Sequence, residues 1–320
     1  MSFFQVLRRT RKALRGKEPP KPASLFHFHT QTYWKTLFAY RFFYVCYFAM
    51  GIGYFVPSSE KILTFDLNQP VFPLFLLGLP TYKAIVVNSA NVLFVLSTAA
   101  AMFWPLARTA RILVCFTLIS VIGLRYSNGI VGNDLHMLIY PAFFLIFAPS
   151  GKGHQKSRAH RHLTIMWFWA AQLGIILSYQ MAGLTKILGI FNCINEYGFS
   201  GCELGAGIFA NLIGKEKLLY NWQTFDGDLF LHYPLIGSLL YYGVIWLFSI
   251  SVFFAFRFQL HRFFLFSRGL FHFGTLVIIG IGFPWALLAT AAVFTVSPFS
   301  RTANFKEVLS SLPPLGWLSR

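Results

Sequence analysis

Gln172, Tyr179 and Lys186 stand seven residues apart inside an apolar run, so on an α-helix they fall along one stripe. Ser178, Ala182 and Gly183 beside them are small enough for a neighbouring helix to approach closely. A polar stripe next to a close-packing notch describes a helix that faces protein. The lysine lies near the end of SYQMAGLTKILG (178–189), and the nearest acid along the chain is Glu196. A lysine at a helix end can snorkel to the headgroups of a bilayer. Kept dry instead, its ammonium form is disfavoured, and a neutral amine with no carboxylate to hold a proton can act as a general base. Both readings are open at this point.

Two further constellations carry polar chemistry. In RYSNGIVGNDLHMLIYPAFFLIFAPSG (125–151), Asn133, His136 and Tyr140 are spaced i, i+3, i+7 and share a helix face. A histidine among apolar residues serves as a hydrogen-bonded structural group or as a catalyst, and what favours the second here is an expected depth that matches Lys186. In SRGLFHFGTLVIIGIGFP (267–284), Arg268 and His272 are four apart. Their expected role is packing or helix-end capping, with His272 too near one end of its span to touch Lys186 or His136 directly. His27 and His29, and the group His154, His160 and His162, lie in basic flanks without accompanying Cys or acids, so no metal site is expected. No phosphate loop, dinucleotide-binding glycine pattern or serine elbow is present.

The elements that must position these residues are membrane helices. The chain has 320 residues, 56% hydrophobic and only 12% charged, with a mean hydropathy of +0.58; a soluble globular protein carries about twice that charged fraction. Its net charge of +17 sits in short gaps between apolar stretches, which excludes a nucleic-acid face. Thirty-eight Phe, fourteen Tyr and eight Trp suit lipid-facing and interfacial surfaces. The expected fold is all-α: a polytopic integral membrane bundle of about eight transmembrane helices. Their spans lie near 37–56, 83–104, 111–126, 132–149, 164–188, 235–256, 269–282 and 284–298. GIGFP (280–284) is either a tight turn or a kink in one long helix, and the proline-bracketed 70–80 is too short to span.

With both termini cytoplasmic, the inner segments hold about 20 of the 27 basic residues, and the outer loops hold eight of the ten acids. The expected domains are a basic cytoplasmic tail 1–34, a transmembrane domain 35–300 with an outer loop 189–234, and a short cytoplasmic tail 301–320. The basic tail is expected to lie on anionic lipid, and the opening residues lack the apolar core of a cleavable signal. Cys46 and Cys115 fall inside spans as packing residues, whereas Cys193 and Cys202 are spaced for a disulfide in an oxidising compartment; a redox-active pair and free thiols are the alternatives. Arg41 and Arg125, as rare intramembrane cations, could neutralise negative charge in a cavity.

Four stretches resemble the horizontally transferred transmembrane (HTTM) domain family, relatives of vitamin K-dependent gamma-carboxylase. LFAYRFFYVCYF (37–48) looks like its opening helix with an arginine at Arg41, and NDLHMLIYPAFF (133–144) resembles its asparagine and histidine helix. YQMAGLTKILG (179–189) is similar to its lysine helix, and 267–284 to its late phenylalanine-histidine helix. Together the four span most of 35–300. The resemblance implies that Lys186 deprotonates a reduced quinone, a vitamin K-like hydroquinone, which reacts with oxygen to give a strong base. That base removes a glutamate γ proton, and carbon dioxide is captured with help from the residue matching His136. By the same resemblance Arg41, Arg125, Tyr179 and His272 would line the cofactor site, with Asn133, Tyr140 and Gln172 in support.

Two departures qualify it: the family's large lumenal region is not expected after the last span, and GIFNCINEYGFSGCELG replaces its tryptophan and glycine. The length and tail suit short bacterial members that mature a secreted toxin peptide. The implied function is therefore a quinol-dependent or base-driven modification of an exported peptide in a bacterial inner membrane, with membrane lipids and an accessory maturation protein as partners and no nucleic acid. The alternatives are a non-catalytic membrane chaperone for such a peptide and, without an inverted repeat to support it, a transporter.

Overall fold

The computed structural model describes residues 30–57, 83–126, 135–150, 157–201, 230, 232–279 and 283–299. Every regular element among them is helical. Nine α-helices run in chain order: α1 (Thr30–Met50, continued by a π-turn at Gly51–Phe55), α2 (Lys83–Phe103), α3 (Arg108–Tyr126), α4 (His136–Ile146), α5 (Arg158–Gly201), α6 (Pro234–Ser249), α7 (Ser251–Phe256), α8 (His261–Ile279) and α9 (Pro284–Phe294). Four helical segments among the described residues are long and apolar enough to cross a membrane: Thr32–Phe55, Ala84–Phe103, Arg108–Tyr126 and Arg158–Gly198. Shorter apolar helices are His136–Ile146, Pro234–Ser249 and Pro284–Phe294. The chain divides into two compact units, 1–174 with 288–301 and 175–287 with 302–320.

In the first unit α2 packs on α1 and α3, and α3 on α4. The inward face of α1 is aromatic: Tyr40, Phe43, Tyr44 and Tyr47 are buried, and the Phe43 and Tyr47 ring centroids lie 4.1 Å apart. A buried phenol needs a hydrogen-bond partner. Tyr40 donates to Thr164 O on α5 at 3.2 Å and Tyr47 to Leu138 O on α4 at 2.6 Å, so two hydroxyls fix α1 against two helices. Small hydroxyls add a polar seam, with Ser97 Oγ and Thr117 Oγ1 3.3 Å apart between α2 and α3. On α5, Gly174 lies under Phe144 and Tyr140 of α4; a Cβ there would sit 2.8 Å from Phe144 Cε2.

In the second unit α5 meets α6 at Gly183. A Cβ at that position would lie 2.8 Å from both Phe248 Cβ and the Ser249 backbone nitrogen. Small residues let two backbones touch where lipid supplies no hydrophobic drive, so this glycine sets the spacing of the pair.

Several boundaries differ from the sequence expectation for physical reasons. The span expected at 164–188 is the middle of α5, which runs on because no proline or turn signal interrupts it until Gly198 adopts φ 73, ψ 171. The expected outer loop therefore begins as helix, which continues to the kink at Gly198. Thr30 starts α1 inside the expected tail. The 235–256 span is broken at Ile250 (φ −89, ψ 2) into α6 and α7. α8 begins at His261, eight residues before the expected 269, and Pro284 stands at the start of α9, while 280–282 of GIGFP lie outside the described residues. The 70–80 segment, Asn133, Cys202 and most of both tails lie outside the described residues.

Gly183→Ala is expected to lower the thermal midpoint of the detergent-purified protein by an amount corresponding to about 1–3 kcal/mol of overpacking. Gly189→Ala on the same helix, where a Cβ meets nothing within 4 Å, is expected to leave it unchanged or raise it. Equal effects at the two positions would contradict the packing role of Gly183.

Candidate functional site

The second unit concentrates its buried polar groups around the break between α6 and α7. Ending one helix and starting another frees backbone carbonyls and N–H groups, and away from water each must be satisfied internally. Gln180 Oε1 accepts from the Val252 backbone N–H at 3.1 Å, in the first turn of α7. Arg268 reaches across from α8 and uses Nη2 twice, donating to Leu247 O at 3.1 Å and to Ser251 Oγ at 2.7 Å. A cation beside the carbonyl end of α6 also meets the negative end of that helix's dipole.

Arg268 is fully buried, and three aromatic rings enclose its guanidinium. Its Cζ lies 4.2 Å from the Tyr179 centroid, 4.6 Å from that of Phe248 and 4.8 Å from that of Phe264. Such contacts are each worth about 2 kcal/mol or more when desolvated. One turn along α8, His272 Nε2 lies 2.6 Å from the Tyr179 hydroxyl. Among the described residues, Arg268 Nε and Nη1 and His272 Nδ1 are buried without a hydrogen-bond partner. Lys186, two turns beyond Tyr179 on α5, is half-buried with Nζ 5.8 Å from the centroid of Phe248. One ring, Phe248, thus lies within cation–π reach of both Lys186 and Arg268.

The stripe at 172, 179 and 186 is therefore divided in function. Gln172 is fully buried in the first unit, where Nε2 donates to Val293 O and Ser297 Oγ, both at 2.9 Å. It fastens α5 to α9. Tyr179 and Lys186 belong to the polar group of the second unit. α8 starts earlier than the expected span, at His261, so His272 lies in mid-helix, and its imidazole reaches Tyr179.

The first unit holds the remaining candidates. His136 Nδ1 lies 2.8 Å from the Tyr126 hydroxyl, and Arg125, next to that tyrosine, is buried with Cζ 4.2 Å from the Tyr54 centroid and 4.9 Å from that of Phe55. Arg41 is half-buried on α1. Tyr140 is exposed, so the face it shares with His136 is not uniformly enclosed. Cys193 is disulfide-bonded, and Cys46 and Cys115 are free.

Sequence reasoning assigned no site role to Arg268, Ser251, Phe248, Tyr126 or Arg111. The last is fully buried, with Nη2 donating to Ala148 O at 2.6 Å beyond the end of α4. A signal existed for the first three: serines at 249 and 251 interrupt an apolar run, and an arginine inside an aromatic helix needs acceptors from a neighbour.

Tyr179→Phe leaves a buried imidazole nitrogen unpaired and is expected to cost about 1–3 kcal/mol. The double substitution Tyr179→Phe with His272→Leu is expected to cost less than the sum of the two single changes, as read from thermal midpoints in detergent. Strict additivity would show that the 2.6 Å contact contributes nothing.

Comparison with known proteins adds no family to this geometry, since no family model, no curated protein and no solved structure matches the chain.

Proposed function

We propose that this protein is a membrane-embedded enzyme that removes a proton from a lipid-soluble substrate, with Lys186 as the base, in the course of modifying or maturing an exported peptide. The observation that carries the reading is the buried hydrogen bond between Tyr179 and His272, placed two helical turns from a half-buried amine on the same helix. A phenol–imidazole pair and a lysine are costly in an apolar helical protein and mark a site of function. Along the chain no acid is nearer to Lys186 than Glu196, ten residues and about 15 Å away on a helix. An amine without a local counter-charge is readily held in its neutral, proton-accepting form.

The HTTM resemblance of the lysine and histidine helices supports a quinol-type cofactor, and the residues present fit one. His272 Nδ1 offers a polar contact to a ring oxygen, and Phe248 and Phe264 offer flat apolar walls. Such a group, when bound, supplies reducing equivalents and acidic ring hydroxyls. The protein's own contribution is to exclude water with its aromatic walls, to orient the imidazole of His272 through Tyr179, and to take the proton at Nζ of Lys186. Within the first unit, the same resemblance supports a functional role for His136, whose Nδ1 lies 2.8 Å from the Tyr126 hydroxyl, and a charge-neutralising one for Arg41 and Arg125. The same proposal includes about eight spans and cytoplasmic termini, supported by the distribution of basic residues in the sequence, and a bacterial inner membrane, which rests on the HTTM resemblance.

Lipids extracted from the purified protein are expected to contain a quinone in stoichiometric amount, reduced at least about tenfold in Lys186→Ala, the effect of losing one charged or strongly polar contact. Absence of a quinone from the wild type, together with a peptide that co-purifies equally with wild type and Lys186→Ala, would replace the enzyme by a chaperone.

A further inference from the structure

The groups left over around Arg268 share one property: they donate and do not accept. Both hydrogens of Nη2 are committed, to Leu247 O and Ser251 Oγ, while Nε and Nη1 have no partner among the described residues. In the tautomer in which the phenol, a stronger proton donor than a neutral imidazole, donates to His272 Nε2, the ring hydrogen is on Nδ1, which also has no hydrogen-bond partner among the described residues. Arg268 and His272 are i and i+4 on α8 and both lie against Tyr179, one over its ring at 4.2 Å and the other on its hydroxyl at 2.6 Å. A fully buried cation with unused hydrogens is expensive, and a negatively charged oxygen satisfies it.

The commitment of Nη2 narrows the kind of oxygen. A guanidinium presents two forks, Nε with Nη2 and Nη1 with Nη2, and both pass through Nη2. Neither is open here. A carboxylate or phosphate cannot be clamped through two oxygens, whereas one oxygen can be met by a single N–H. The rings of Phe248 and Phe264, 4.6 and 4.8 Å from the guanidinium carbon, suit a flat apolar body behind that oxygen.

We infer that Arg268, with His272 Nδ1, holds the single oxygen of a lipophilic phenol- or enol-type substrate as that oxygen becomes negative, which makes Arg268 a catalytic residue of the same site. The inference rests on the proposed role of Lys186 for its proton acceptor. The substrate O–H bond breaks, its electron pair stays on oxygen beside the guanidinium, and the proton passes to Nζ, converting a neutral amine and a neutral hydroxyl into an ammonium and an oxyanion.

The probe is a 4-nitrophenol carrying an alkyl chain, whose absorbance reports its ionised fraction when bound to the full-length protein in detergent. Wild type is expected to bind it saturably and to raise the bound phenolate-to-phenol ratio over solution by at least about tenfold, the effect of one charge-assisted hydrogen bond. Arg268→Gln is expected to abolish that enrichment, Arg268→Lys to keep part of it, and Ser251→Ala, which removes one Nη2 contact without touching the charge, to keep it whole. Lys186→Ala, which removes the proton acceptor, is expected to lower the enrichment without abolishing it and to lose quinone, whereas Arg268→Gln abolishes the enrichment, so failure of the base assignment is distinguishable from failure of this one.

Enrichment that survives Arg268→Gln overturns the inference, as does a probe that fails to bind saturably. A test independent of variant folding uses wild type alone. An alkylbenzoate is expected to bind at least about tenfold more weakly than the alkylnitrophenol of equal chain length, because no fork is open to it. Equal or tighter benzoate binding overturns the assignment.

Discussion

The second unit depends on one constraint, that the backbone freed by the break at Ile250 must find partners without water. Gln180 answers the exposed N–H and Arg268 the exposed carbonyl. Both answers need α5 and α8 close to the break, and for α5 the bare Cα of Gly183 against Phe248 and Ser249 permits it. The polar group then follows in sequence: Arg268 brings its charge, Tyr179 and Phe248 cover that charge with their ring faces, and His272 takes the Tyr179 hydroxyl. The functional candidates thus gather where the helix is broken, with Arg268 meeting both the Leu247 carbonyl and the Ser251 hydroxyl there.

The first unit uses the same device with different consequences. Arg111 closes the carbonyl end of α4 through Ala148 O, again with one terminal nitrogen of a fully buried guanidinium. On α1 two phenols, Tyr40 and Tyr47, bond to Thr164 O and Leu138 O and fasten helices together. Tyr126 in this unit and Tyr179 in the other bond instead to a histidine ring.

Much of the helical architecture was legible because an apolar run of membrane length has few alternatives to a helix. The spans expected at 83–104 and 111–126 match α2 and α3 to within three residues at each end. Helix ends were less legible, since α5 continues wherever nothing stops it and α6 stops where partners for its freed groups lie elsewhere in the chain. The stripe of Gln172, Tyr179 and Lys186 was readable as a face, because periodicity fixes direction. Its partners were not: Gln172 bonds to residues 293 and 297, and Tyr179 to residue 272, separations that no local pattern encodes. The start of α8 was missed for a related reason, as a span drawn from hydropathy began at 269 and excluded the polar first turns of the helix.

Phe248 carries a consequence that its chemistry alone would not suggest. Its ring lies 4.6 Å from the Arg268 guanidinium carbon and 5.8 Å from Lys186 Nζ, so once the amine takes up a proton both charges polarise the same π electrons. Proton gain or loss on the amine must therefore be felt by the guanidinium through a side chain that never ionises. An aliphatic residue of similar bulk at 248 would fill the same space yet leave the two cations electrically deaf to one another along that route.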